Sequence, residues 1–273
     1  MQPSEIEPAD PSIVPPIEDL EDQAHRSCAD LRFAEGLRRG WEEARAEAAV
    51  QEAILLAWME GARGSATELR EMTMRIKQGW SPDQQTESAS AEMLGIWRAA
   101  WHLESELPPL NTRDAKVVAS RAIPAVLASL NKEICSFLVA AGQMSGEKVA
   151  VPQDPGALQR IMRLADDTSL SATTRCAEVL RLMLTEKPFA FGNLPMGFLF
   201  VKWLLATAGV EPTGVAILSE RASQNQQRFS ALMELGSTEQ WHRFLLDSLI
   251  EGCESGKLIA RSVQAGQTLD YWQ

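Results

Sequence analysis

The stretch from Asp22 to Gly61, which contains RFAEGLRRGWEEARAEAAVQEAILLAWMEG, constrains the fold of this chain more than any other. It is built from Ala, Leu, Glu and Arg, the strong helix formers, and shows no alternation of apolar and polar residues that would suit a strand. Ile54, Leu55, Trp58 and Met59 gather near its end as a face for burial, and Gly61 and Gly64 supply stops. The rest of the chain reads the same way, with a single tyrosine and few β-branched runs. The expected class is all-α: one bundle of about eight helices with a short β-hairpin flap.

Further helices are expected over Ser65 to Gln78, Glu87 to Glu106, Thr112 to Ala141, Pro155 to Ala165, Ala172 to Thr185, Met196 to Ala208, Ser219 to Glu234 and Thr238 to Ala265. Asn111-Thr112 and Ser237-Thr238 suit N-caps, and Gly209 and Gly236 suit C-caps. Pro124 should kink or split its helix. Between Gly142 and Pro155 the Gly, Pro and β-branched content suits a turn or hairpin. Met72 and Met74 read as core filler, and Trp97, Trp101 and His102 as a packed helix face. Three regions follow: an acidic Pro-rich leader over residues 1–20, a helical region over 21–110 and a core over 111–270.

Charge narrows the partners. Lys and Arg total 26 against 37 for Asp and Glu, a net charge of −11, and no basic patch offsets it. Such a surface repels phosphate backbones and anionic lipid, so nucleic acid and membrane are not expected partners. No apolar run is expected to reach the length that spans a bilayer: the longest, around Met196 to Val210, is interrupted by Gly197 and Lys202, and the acidic opening does not resemble a secretory signal. Cys28, Cys135, Cys176 and Cys253 lie far apart without a CxxC pair, and His25, His102 and His242 are scattered, so no metal site is indicated. With no signal, the cysteines read as reduced, half-buried thiols of a cytoplasmic protein.

No GxSxG, Walker-type loop or HExxH occurs. One segment stands out: Glu186-Lys187-Pro188-Phe189-Ala190-Phe191-Gly192-Asn193-Leu194-Pro195-Met196-Gly197-Phe198, followed by the apolar LFVKWLLATAG. It reads as a loop entering a helix N-terminus, where free backbone N–H groups can meet an anion. Lys187 suits a nucleophile or phosphate ligand, but a solvated pair with Glu186 is the favoured reading.

This segment resembles the signature loop of the Fic/Doc family, H-P-F-x-(D/E)-G-N-G-R-x-x-R. Downstream, SERASQNQQRFSALMELGSTEQWHRFLL is similar to the region that follows it in the family, where Arg221 and Arg228 match a stretch approaching adenine, though a solvent-facing role suits them better. Upstream, EAILLAWMEGARG resembles the family's inhibitory helix, with Glu60-Gly61 at its Glu-Gly position and Leu56 where Ser or Thr is usual. The flap would fall in GEKVAVPQDP. Together the likeness spans residues 40 to 265.

In the family, the resemblance implies, this loop transfers AMP from ATP to a protein hydroxyl. The histidine is general base, the acid holds Mg²⁺, the G-N-G backbone cradles phosphate and two arginines grip it. Here those positions carry Lys187, Phe191, Leu194, Pro195 and Phe198; Pro188, Phe189, Gly192, Asn193 and Gly197 remain. A protonated lysine accepts no proton, a phenyl ring binds no hard cation, and neither proline nor phenylalanine grips phosphate. The retained residues suit structure: Phe189 in the core, Gly192 in a turn, Asn193 as an N-cap and Pro195 in the first helical turn. The groove should be partly filled by Phe191, Leu194 and Phe198. The expected function is a catalytically degenerate Fic-like binding or regulatory module, with no catalytic residue, no metal and no cofactor. The alternatives are an adenylyltransferase with an atypical loop, using ATP and Mg²⁺, or a binder of another small molecule in the altered groove. The partner is an unidentified protein, and nothing in the sequence fixes the oligomeric state, a homodimer included.

Overall fold

The computed structural model describes residues 15–111 and 121–267. Eleven helices occur among them, with no sheet. Helix α1 is Ile17–Arg32, α2 Trp41–Glu60, α3 Ala66–Lys77, α4 Ser88–Ser105, α5 Ile123–Ala140 and α6 Pro155–Ala165. Then come α7 Ala172–Glu186, α8 Asn193–Thr207, α9 Glu220–Gln224, α10 Gln226–Leu235 and α11 Thr238–Gln264. The all-α expectation holds.

Helix α8 is the axis. Met196, Phe198, Leu199, Phe200, Val201 and Leu205 are all at most 1% exposed, because α2, α4, α5 and α7 surround it. The long α11 packs on α1, α7 and α2. Its start is fixed by a reciprocal capping box, Ser237 Oγ accepting from Gln240 N–H and Gln240 Oε1 from Ser237 N–H.

Several sequence expectations need correction. The single long helix from Asp22 is two, broken by a 3₁₀ turn at Glu35–Arg38. A Cβ on Gly36 would come within 2.0 Å of Ala260 O, so this glycine lets the turn seat directly on α11. The helix expected over Ser219 to Glu234 is also two. Asn225 sits between them, its side chain accepting from Arg228 N–H as an N-cap. Pro124 neither kinks nor splits a helix but occupies the first turn of α5. The proposed start at Thr112 lies outside the described residues. The β-hairpin flap does not form: Gly146–Lys148 is a 3₁₀ turn, and the sole strand-like feature among the described residues is one antiparallel bridge, Pro152 to Phe189.

Met74 is 64% exposed rather than core filler. All four cysteines are fully buried rather than half-buried. Helix α5, overlooked as an apolar run, is long and apolar enough to cross a membrane by length and composition. In this fold it packs on α4 and α8 and places polar Asn131 fully inside. Trp97 and Trp101 do pack against the core, while His102 Nδ1 meets Glu133 at 3.3 Å.

Candidate functional site

The loop between α7 and α8 takes its shape from a few residues. Proline at 188 removes an N–H and disfavours continuing the helix, and Lys187 ends α7 in the left-handed region at φ 47°. The Pro188 carbonyl accepts from Gln153 N–H at 2.8 Å and Asp154 N–H at 3.3 Å, which anchors the 150–154 segment on the loop. Phe189 is buried. The Asn193 amide then closes the turn on itself: Phe189 N–H donates to Asn193 Oδ1 at 3.0 Å, and Asn193 Nδ2 donates to the Phe189 carbonyl at 2.7 Å.

Asn193 is therefore not the N-cap. That place belongs to Gly192, at φ 72°. A Cβ there would also meet Ile134 Cγ2 at 2.9 Å, so conformation and space both require glycine.

A residue the sequence reading missed holds the arrangement together. Asn131, on α5 and 1% exposed, donates from Nδ2 to the Phe191 carbonyl at 2.9 Å and accepts at Oδ1 from Ala150 N–H at 2.7 Å. One buried amide thus fastens both the motif loop and the 150 segment. The available signal was a polar residue inside an otherwise apolar helix, a placement that persists only when both amide functions are satisfied.

The residues at the altered motif positions part company. Lys187 is exposed, as expected, but its charge faces Glu60 at the end of α2, while Glu186 pairs with Arg160 at 2.6 Å. Phe191 is 44% exposed and does not fill a groove. Leu194 is half-buried and Pro195 buried. Phe198 is 1% exposed, deep in the core with its ring 6.0 Å from Phe229. Of the three expected fillers, one is core and one is surface. Pro195 has no N–H, and Met196 N–H already donates to Gly192 O, so the start of α8 has few donors left for an anion.

Helix α2 brings Glu60 to this rim. Its end is a Schellman turn, with Ala62 N–H bonded to Ala57 O, Gly61 N–H to Trp58 O and Gly61 at φ 99°. Ile54, Leu55 and Leu56 are buried, Trp58 and Met59 packed on the core, and Trp58 Nε1 donates to Gly64 O at 3.0 Å. Loss of solvent around it raises the Glu60 carboxyl above its ordinary value, and Lys187 opposes the rise. On α4, burial and then the Glu60 charge push Glu92 up to about 7. The rim carries two reluctant carboxyls and one ammonium. Among the described residues, no group of three or more His, Cys, Asp or Glu is placed to hold a metal.

Behind the loop lies a second feature that sequence reading missed. Lys202 Nζ donates to Glu104 Oε1 at 2.8 Å, both side chains at most 2% exposed. Glu52 accepts from the N–H groups of Leu218 and Ser219 at 3.1 and 3.0 Å. Burial raises Glu52 and pushes Glu104 up to about 7, Lys202 opposing in each case. The two acids outweigh burial at Lys202 and raise it. Its signal in the sequence was Lys202 alone, a charge inside an apolar run.

Arg221 is not simply solvent-facing: it pairs with Asp247 at 2.7 Å and with Glu251. Arg228 is exposed and lines a 680 Å³ groove with Phe229, Leu232 and Phe244, away from the motif loop.

No protein-family model and no curated protein matches the sequence. Solved structures do match the fold. A point variant of the 134–508 fragment of Fic-1 from C. elegans superposes with a TM-score of 0.60 at 15% identity, covering 89% of this chain and 73% of that one. The unsubstituted fragment gives 0.59 at 14% identity, covering 92% and 73%. This chain has the Fic-domain fold.

Proposed function

We propose that the chain is a Fic-fold binding module that works without transferring nucleotide and without a metal or cofactor, its partner being another protein. The observation that carries this reading is the fate of the two phosphate-gripping positions. Pro195 and Phe198 are buried, and Phe198 is committed to an aromatic contact. A groove whose anion-binding positions have become core is poorly equipped to hold a triphosphate. At its mouth, Phe191 and Val151 are 44% and 53% exposed, side chains suited to a protein partner.

The test is nucleotide itself. Millimolar ATP with Mg²⁺ should leave Tm unchanged, since a ligand selective for the folded state stabilises by RT ln(1 + [L]/Kd). Lys187→His should not transfer labelled AMP to the protein or to a lysate, because a base worth about 10²–10⁴-fold does nothing without a nucleotide held in line. Glu60→Gly should be equally silent. A Tm rise of several degrees, or label on any of these proteins, overturns the reading in favour of an atypical transferase.

A further inference from the structure

Helices α1 and α11 approach closely because α11 offers small residues to its neighbours. A Cβ on Gly256 would lie 3.0 and 3.1 Å from the Leu31 methyls, and Gly36 sits against the α11 backbone at Ala260. Within this tight contact the Sγ atoms of Cys28 on α1 and Cys253 on α11 stand 3.7 Å apart. Cys28 is 2% and Cys253 0% exposed. The two residues are 225 positions apart in the chain, so no sequence spacing announced them.

We propose that Cys28 and Cys253 are a disulfide-forming pair, a modification site that fastens the first described helix to the last. A small disulfide of the glutathione class is the oxidant. One thiolate of the pair attacks a glutathione sulfur, forming a mixed disulfide and releasing one glutathione thiolate. The other thiolate then attacks the protein sulfur of that mixed disulfide and releases the second. Two electrons pass from the protein to glutathione disulfide, and the two thiol protons end on two glutathione thiols. Closing the bond to about 2.05 Å requires the sulfurs to approach by roughly 1.7 Å.

Contact with Cys28 and burial both push the Cys253 thiol far above its ordinary range, so the closed pair is a poor nucleophile. Since both sulfurs are buried, glutathione reaches them only when α1 lifts from α11. Oxidation of the native protein is therefore slow and quickens with temperature. Cys135 and Cys176, also buried but on α5 and α7, act as internal controls.

The experiment uses the full chain in glutathione buffers of graded poise. One arm incubates native protein and the other refolds it from denaturant, so that access does not limit the second. Free thiols are trapped with a maleimide and the product is mapped by peptide mass. The expected result is one linked peptide joining Cys28 to Cys253, two thiols still trapped, a Tm several degrees above that of the reduced protein and reversal by dithiothreitol. Cys253→Ser should lose both the link and the Tm gain. No link after refolding in oxidising buffer, or a link joining any other pair, overturns the proposal; the peptide map of the unsubstituted chain decides even if Cys253→Ser fails to fold.

Discussion

Two loops flank α8, and they are held by different chemistry. The one before it, residues 187–192, is tied by the neutral amides of Asn131 and Asn193. The one after it, 211–219, is tied by charges. Glu211 accepts from the N–H groups of Thr213 and Gly214, Arg45 Nε donates to the Thr213 carbonyl at 2.7 Å, and Glu52 receives Leu218 and Ser219. Amides satisfy backbone groups at little desolvation cost, whereas a buried charge is tolerable only while its partner remains. The loop that carries the signature is thus fastened by groups that do not themselves change charge. The unsignatured loop is where the fold is electrostatically committed.

The largest expected effect attacks the apolar seat under the first loop. Phe198→Arg forces a guanidinium into a position 1% exposed and packed beside Phe229, and should cost more than about 4 kcal/mol. For the same reason the fivefold restoration Lys187→His, Phe191→Asp, Leu194→Gly, Pro195→Arg and Phe198→Arg should not fold. A cooperative melt for Phe198→Arg near the parent Tm would break the view that this position is core.

Next comes the charged side. Lys202→Met strands Glu104 and Glu52 and should cost about 3–5 kcal/mol by denaturant titration, with Glu104→Gln added on top recovering part of the loss. A cost below about 1 kcal/mol would erase the distinction between the two loops.

Asn131→Ala should cost about 2 kcal/mol, since it leaves the Phe191 carbonyl and the Ala150 N–H without their partner. Asn131→Asp keeps an acceptor for Ala150 N–H and loses the donations to the Phe191 carbonyl and the Met196 sulfur. Hydrogen exchange at Ala150 should therefore quicken in the alanine variant and much less in the aspartate variant. Equal exchange in both would show that the amide fastens nothing.

The smallest effect sharpens the comparison at the rim. Glu92, raised to about 7 from 4.5, binds its proton more tightly folded than unfolded. Its stabilising contribution is complete below about pH 4.5 and is lost as pH rises through 7. Glu92→Gln should flatten that part of the Tm–pH curve. Identical slopes in the two proteins would remove Glu92 from the titrating rim.

What the sequence disclosed follows the range of the forces involved. Helix formation is local, so α3, α4, α6, α7 and α11 were legible from composition and caps, Ser237 among them. The breaks at Gly36 and Asn225 were not, because Gly36 is required by Ala260 and not by its neighbours. In the motif loop, proline at 188 and glycine at 192 announced a turn, since backbone limits are written residue by residue. The partner of Asn193 lies four residues back, and that of Phe198 on a different helix. Side chains that read as groove fillers therefore divided between core and surface. The lone charge in an apolar helix and the lone amide in another were visible, but their partners were supplied by folding alone.

The clasp of α1 on α11 has a consequence for synthesis. With Cys28 and Cys253 225 residues apart, a ribosome working at about 5–20 residues per second needs roughly 10–45 s between making the two. Throughout that interval Leu20, Ala24, Cys28 and Leu31, the buried face of α1, have no native cover. Vectorial emergence makes the earliest described helix the last to dock, and its apolar stripe is a waiting substrate for whatever chaperone attends the nascent chain.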